Sequence, residues 1–185
     1  MVITMTFRRI GMKSIWRRAL VVSLFLFVTI SCAIGQLEDA PSWYEAVVTA
    51  VVDGDTIQIQ FVDDPPPDCS WNERVRFIGV DTPELYTVPA EYYAREARTY
   101  TNRYYQKNVL IEFDSVSSTR DQYGRLLAYV YNDINQIPIN KQLISEGYGF
   151  FYGEFAFDPE RMYEFKNAEQ DARANQRGLW GLGGE

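Results

Sequence analysis

The amino-acid sequence predicts an α+β domain built around a small antiparallel barrel, with an export leader ahead of it. Three observations lead to that class. Short runs rich in Val, Ile and Thr fill the first half of the body, and their apolar residues alternate. Turn-forming clusters such as "DGDT" and "DDPPPD" separate them. Helical spacing appears once among the strands and again after them, an order that suits helices packed against a barrel.

Tyr44–Phe61 reads as strand, interrupted at Asp53–Thr56 by a turn or bulge. Beyond it Ile57, Ile59 and Phe61 alternate with Gln58 and Gln60, so one face is buried. Asp63–Glu73 holds three consecutive prolines, which lack N–H donors, and reads as a hairpin loop. Arg74–Val80 returns as strand, with Arg74 and Arg76 on the face opposite Val75 and Phe77. Pro83 then breaks it, because it drives Thr82 out of the α region.

A helix is predicted from Pro89 to Asn108, since Ala90, Tyr93, Ala94, Ala97, Tyr100, Thr101 and Tyr104 recur every three or four residues. Val109–Phe113 is a strand, Asp121–Arg125 a turn, Leu126–Tyr131 a strand and Asn132–Asn135 a turn. Asn140 is a candidate cap for a short helix ending at Gly147. Asp158-Pro159-Glu160 supplies a cap, a first-turn proline and an early acid for a helix running to about Arg177. Gly178-Leu179-Trp180 then reads as its C-terminal cap.

Charge and composition narrow the chemistry. Residues 1–32 hold five of the 18 basic residues and none of the 25 acidic ones, so the rest of the chain has a net charge of −12. Such a body does not hold nucleic acid by bulk attraction, and phosphate contacts must come from a few placed arginines or a bound cation. The chain contains no histidine. That excludes Ser-His-Asp and Cys-His nucleophiles, histidine bases and histidine zinc sites.

The N-terminus reads as an address. Arg17-Arg18 precede the 12-residue apolar run Ala19–Ile30, short for a bilayer span and suited to a signal-peptide core. Met12 as start gives a more typical basic region. Two processing readings compete: "TISC" (Thr29–Cys32) resembles a bacterial lipobox, which would lipidate Cys32 and attach the protein to a membrane, and "AIG" (Ala33–Gly35) is a small-x-small cleavage site. An uncleaved anchor is the third. All three put the body outside the cytoplasm, as a secreted, periplasmic or membrane-anchored protein. Residues 1–32 are then the signal peptide, 33–43 a tether and 44–181 the domain. Cys69 is a lone thiol unless cleavage spares Cys32 for a disulfide.

Asp55, Asp81 and Thr82 offer hard oxygen ligands at strand ends, a sparse site for Ca²⁺ or Mg²⁺ that leaves room for water and a phosphate. Each motif by itself is also ordinary turn chemistry. Glu84 lies three residues past Asp81 and, without histidine, is the natural general base. Arg76 and Arg125 can grip a phosphate with planar, always-charged forks. Taken singly, each of these three is equally a surface residue in a turn or salt bridge.

In combination, "DGDT", "VRFIGVDTPE" and "YGRLLAY", in this order and on this strand background, closely resemble the staphylococcal nuclease (thermonuclease) family from about Tyr44 to Gly181. The resemblance implies a five-stranded OB-type β-barrel with three helices. It implies calcium held by Asp55, Asp81 and the Thr82 carbonyl, with Asp53 behind them, Glu84 as base, and Arg76 and Arg125 on the scissile phosphate. It implies cleavage of DNA and RNA that leaves 3′-phosphate ends; separately, the chain is expected to act as a monomer. Tyr123 matches a substrate-side tyrosine; for the second, Tyr152 and Phe155 are both candidates. Gln122 stands where the family has lysine, which removes one contact to substrate phosphate. Two rival readings are a barrel that binds nucleic acid or another ligand without cutting, and a structural envelope lipoprotein with a stabilising cation.

Overall fold

The computed structural model describes residues 43–132 and 137–181. The leader, the lipobox and most of the tether lie outside them, as does the Asn132–Asn135 turn beyond its first residue. Ser42–Glu185 is one of two compact units of the chain, and the elements below belong to it.

The first hairpin settles the "DGDT" interruption as a turn. β1 (Tyr44–Val51) and β2 (Thr56–Phe61) pair antiparallel on either side of it, with a bulge at Thr49. The extra residue shifts the alternation by one, so Ala46 and Val48 face inward before it and Val51 after it. β3 (Asn72–Phe77) pairs antiparallel with β2 and buries Val75 and Phe77, as the alternation predicts. A turn at Ile78-Gly79 then leads to the two-residue β4 (Val80–Asp81), so Arg74–Val80 is two strands and not one.

β5 (Asn108–Glu112) and β6 (Leu126–Asn132) complete a closed barrel in the order β1-β2-β3-β6-β5. β3 and β6 run parallel, which corrects the expectation of a purely antiparallel barrel. The reason is parity: five strands cannot alternate direction all the way round a closed ring. Successive residues of β6 from Ala128 to Tyr131 are buried because both its faces are covered. One fills the barrel, and the other meets Phe157 and Phe165 through the Tyr129 ring.

Three helices flank the barrel. α1 spans Ala94–Thr101 and continues as a 3₁₀ turn to Tyr104. It starts five residues later than the periodicity predicts, because Tyr93 adopts φ 70° and breaks the helical run. Ala90 is accordingly exposed, whereas Ala94, Ala97, Tyr100, Thr101 and Tyr104 are buried as expected. Residues 84–92 instead form an exposed loop whose ends are tied by the Glu91 N–H donating to the Glu84 carbonyl at 3.0 Å.

α2 (Ile139–Ser145) is not capped by Asn140. That side chain is fully buried inside the first turn; it accepts from the Val130 N–H and donates to the Ile78 and Ala128 carbonyls. A polar residue at a predicted cap position here pins the helix to β6 and to the turn before β4. β7 (Phe150–Phe151) pairs with β4.

α3 (Pro159–Ala174) begins as predicted: Asp158 Oδ1 accepts from the Arg161 N–H at 2.9 Å and Pro159 fills the first turn. It ends three residues early. Gly178 starts a separate 3₁₀ turn (Gly178–Trp180) where the chain crosses Gly147, whose carbonyl accepts from the Leu179 N–H at 2.8 Å. A Cβ on either glycine would collide with the other strand's backbone. Cys69 is a free thiol, half-buried.

Asp114 ties the β5 end to α3. Burial pushes its carboxyl up, but the Tyr129 hydroxyl and the N–H groups of Asp158, Ser117 and Val116 donate to it and hold it below the ordinary aspartate value. The folded pKa lies below the unfolded one, so this stabilisation is present above about pH 4 and is lost as pH falls through the folded value. Thermal melts from pH 7 downward should show the wild-type melting temperature dropping below about pH 4 more steeply than that of Asp114→Asn. Equal slopes would remove Asp114 from the acid response.

Candidate active site

The two acidic motifs meet at the barrel rim, where the turn after β1 faces the end of β4. Asp55 is 5% exposed, and the surrounding donors account for its buried charge. Its Oδ2 accepts from the Thr82 N–H at 2.8 Å and the Thr82 hydroxyl at 3.0 Å, and its Oδ1 accepts from the Thr56 hydroxyl at 3.0 Å. Gly54 is required at this crossing: a Cβ there would lie 2.6 Å from Thr82 Oγ1. "DGDT" and "DTPE" are therefore locked onto each other by packing and by charge-assisted hydrogen bonds.

Arg76, across from Thr56 on β3, joins the two carboxylates. Its Nη1 is 3.2 Å from Asp55 Oδ2 and donates to the Val80 carbonyl at 2.6 Å; its Nη2 is 2.7 Å from Asp81 Oδ1. The guanidinium is largely buried and the Asp81 side chain half exposed, so the pair opens outward on the Asp81 side.

Negative charge exceeds what one guanidinium offsets. Burial pushes the Asp53 carboxyl up to about 6, with the charge of Asp55 adding to it. Asp81 is also raised, by burial first; Arg76 opposes the shift, and Asp55, Glu84 and Glu91 add to it. Hard carboxylate, hydroxyl and carbonyl oxygens in an over-acidic rim suit a hard dication. Among the described residues no three or more carboxylate, thiol or imidazole groups are placed to hold a metal. A cation here would rest on Asp55 and Asp81 with backbone oxygen and water.

The structure thus brings Asp55, Arg76, Asp81 and Thr82 together, with Asp53 behind. Glu84 is exposed on the next turn; its N–H donates to Glu91 Oε2 at 2.9 Å, and its charge reaches Asp81. Tyr152 follows β7, its N–H bonded to the Gly79 carbonyl and its hydroxyl to Glu154, within the fields of Asp81 and Arg76. Phe155 packs on the Tyr152 ring.

Arg125 and Tyr123 occupy the turn that opens β6. Arg125 Nε is 2.6 Å from Asp121 Oδ2, and its guanidinium lies 5.5 Å from the Tyr123 ring centroid. Val75 pairs with Leu126, so the strands bring Arg125 alongside β3, the strand that carries Arg76. The ion pair of Arg125 is with Asp121 of its own turn, and no hydrogen bond or ion pair among the described residues joins it to the Asp55–Arg76–Asp81 bridge.

Several supporting residues were not singled out by the sequence. Thr101, fully buried on α1, donates to the Gly54 carbonyl at 2.5 Å; Arg98 donates to the carbonyls of Val51 and Val52, and the Tyr86 hydroxyl to Val52. Together they fix the turn that presents Asp55. The only signal was the helical spacing of Thr101, which marks burial without naming a partner. Glu91, which holds the Glu84 backbone, had none.

Barrel, flanking helices and acid-ringed arginine define a nuclease-type OB-barrel domain. A family model described as "Staphylococcal nuclease homologue" matches residues 74–181. The chain belongs to that family. It is 30% identical to the uncharacterized protein MJ1439 of Methanocaldococcus jannaschii, over 90% of this chain and 95% of that one. It is 33% identical to a thermonuclease of Staphylococcus intermedius, over 72% of this chain and 74% of that one. Endonuclease YhcR of Bacillus subtilis is 32% identical over 74% of this chain, which spans 11% of that longer protein.

Proposed function

We propose that the chain is an exported, Ca²⁺-dependent nuclease that hydrolyses phosphodiester bonds of DNA and RNA and leaves 3′-phosphate ends. The observation that carries this reading is the Asp55–Arg76–Asp81 bridge in an over-acidic rim. Relatives named as nucleases support the reaction class.

Asp55, Asp81 and the Thr82 carbonyl would hold the calcium ion. Bound there, calcium supplies charge neutralisation and a template for the phosphate. Arg76 and Arg125 offer planar donor forks to the non-bridging oxygens and offset the charge that grows at phosphorus. Glu84, on the exposed turn, takes a proton from the attacking water as that oxygen bonds to phosphorus; the bond from phosphorus to the 5′ oxygen breaks, and the 5′ oxygen leaves as a hydroxyl with a proton drawn from solvent. Tyr123 and Tyr152 flank the substrate. Gln122, neutral where the family carries lysine, leaves that part of the contact weaker. The protein acts as a monomer, released or attached through a lipidated Cys32.

The test is digestion of plasmid DNA and of an RNA transcript with Ca²⁺ or with chelator. Cutting with calcium alone, leaving ends that a 3′-phosphatase must remove before extension, supports the proposal. Cutting in neither condition would overturn it in favour of a non-catalytic binding barrel.

A further inference from the structure

A second feature lies along α1, beyond the catalytic rim. Four tyrosine rings form a row there: Tyr92 and Tyr93 have centroids 5.6 Å apart, Tyr93 and Tyr148 5.6 Å, and Tyr148 and Tyr100 4.4 Å. Arg103 closes the far end, its guanidinium carbon 3.6 Å from the Tyr100 centroid. A depression of about 340 Å³ opens beside the row, with Arg95 and Arg103 on its wall. Arg95 is exposed and makes no ion pair among the described residues.

We propose that this row is a track for an unpaired stretch of the nucleic-acid strand flanking the bond to be cut. The occupant rests on the nuclease reading above; the track rests on three observations. First, it is continuous with the catalytic loop: Glu91, whose carboxylate holds the Glu84 N–H, immediately precedes Tyr92. Second, its charge is opposite to that of the body. Residues 94–107 carry Arg95, Arg98, Arg103 and Lys107 against Glu96, and even with Glu91 beside Tyr92 and Glu146 near Tyr100 the track stays net basic in a domain where acids outnumber bases. A polyanion repelled elsewhere is drawn to this segment.

Third, its chemistry suits bases and phosphates together. Rings this close admit no base between them, so the row acts as a stiff backing. Its two ends remain available: the Tyr92 ring, on a residue 56% exposed, and the outer face of the Arg103 guanidinium. Bases stack on both kinds of surface without regard to sequence, while Arg95 is free to pair with phosphate.

The experiment measures binding of fluorescein-labelled single strands by anisotropy, in chelator so that no bond is cut. Strands of about 4 and about 12 nucleotides are compared, since only the longer reaches past the catalytic rim. The wild-type protein should bind the longer strand about tenfold more tightly, and Arg95→Ala or Tyr92→Ala should each erase most of that gain. Tyr92→Phe, which keeps the ring, should retain it. Equal affinity for both lengths in the wild type, or an undiminished gain in both alanine variants, would overturn the track. A protein that gains affinity with length but cuts nothing with calcium would keep the track and lose the nuclease. A protein that cuts with calcium but shows no gain would do the reverse.

Discussion

Arg76→Ala is expected to lower kcat on plasmid or RNA by about 10²–10³-fold, the usual effect of removing one donor aimed at charge that develops in the transition state. The structure adds a second effect. Arg76 lies against both Asp55 and Asp81, and the site is already short of positive charge. Removing the guanidinium while leaving two partly buried carboxylates should destabilise the fold by about 3 kcal/mol without a cation. Calcium should restore more stability to this variant than it adds to the wild type. Lysine at the same position keeps the charge but not the fork that meets Asp55, Asp81 and the Val80 carbonyl at once, so Arg76→Lys should recover stability better than turnover. Urea denaturation with and without calcium, beside initial rates, separates the two effects. Turnover at the wild-type level in Arg76→Ala would rule the arginine out as a phosphate clamp.

Glu84→Gln is expected to cost about 10²–10⁴-fold in kcat, with KM little changed, because the amide keeps size and hydrogen bonding but cannot take a proton. Its side chain carries little of the fold: it is exposed, and the turn is held through the Glu84 backbone N–H and carbonyl by Glu91. The variant should therefore melt like the wild type, which makes a lost rate interpretable. A rise in KM at constant kcat would instead assign Glu84 to substrate binding.

Sequence patterning disclosed the strands well because each buries one face of a barrel, so alternation and accessibility report the same thing. Ile57, Ile59 and Phe61 illustrate this. It failed where backbone conformation or a non-local partner decided. Tyr93 carries the helical spacing but takes a left-handed conformation, and the helix waits for Ala94. Asn140 has the composition of a cap, yet its amide serves three backbone groups on β6 and the turn before β4. The parallel β3–β6 pair leaves no local pattern at all; only counting strands around a closed ring requires it.

The site divides the same way. Asp55, Arg76, Asp81 and Thr82 were legible because their motifs are short and ordered along the chain, and the fold brings those four together. The groups that hold the motifs in place act across dozens of residues. Thr101 reaches Gly54, and Arg98 reaches Val51. No local pattern encodes such contacts.

Calcium titration by calorimetry tests the central claim most directly, that Asp55 and Asp81 converge on one cation. The wild-type protein should bind one calcium ion per chain, and Asp55→Asn and Asp81→Asn should each abolish the binding while the barrel stays folded. Wild-type protein that takes up no calcium, or asparagine variants that bind it unchanged, would contradict the account.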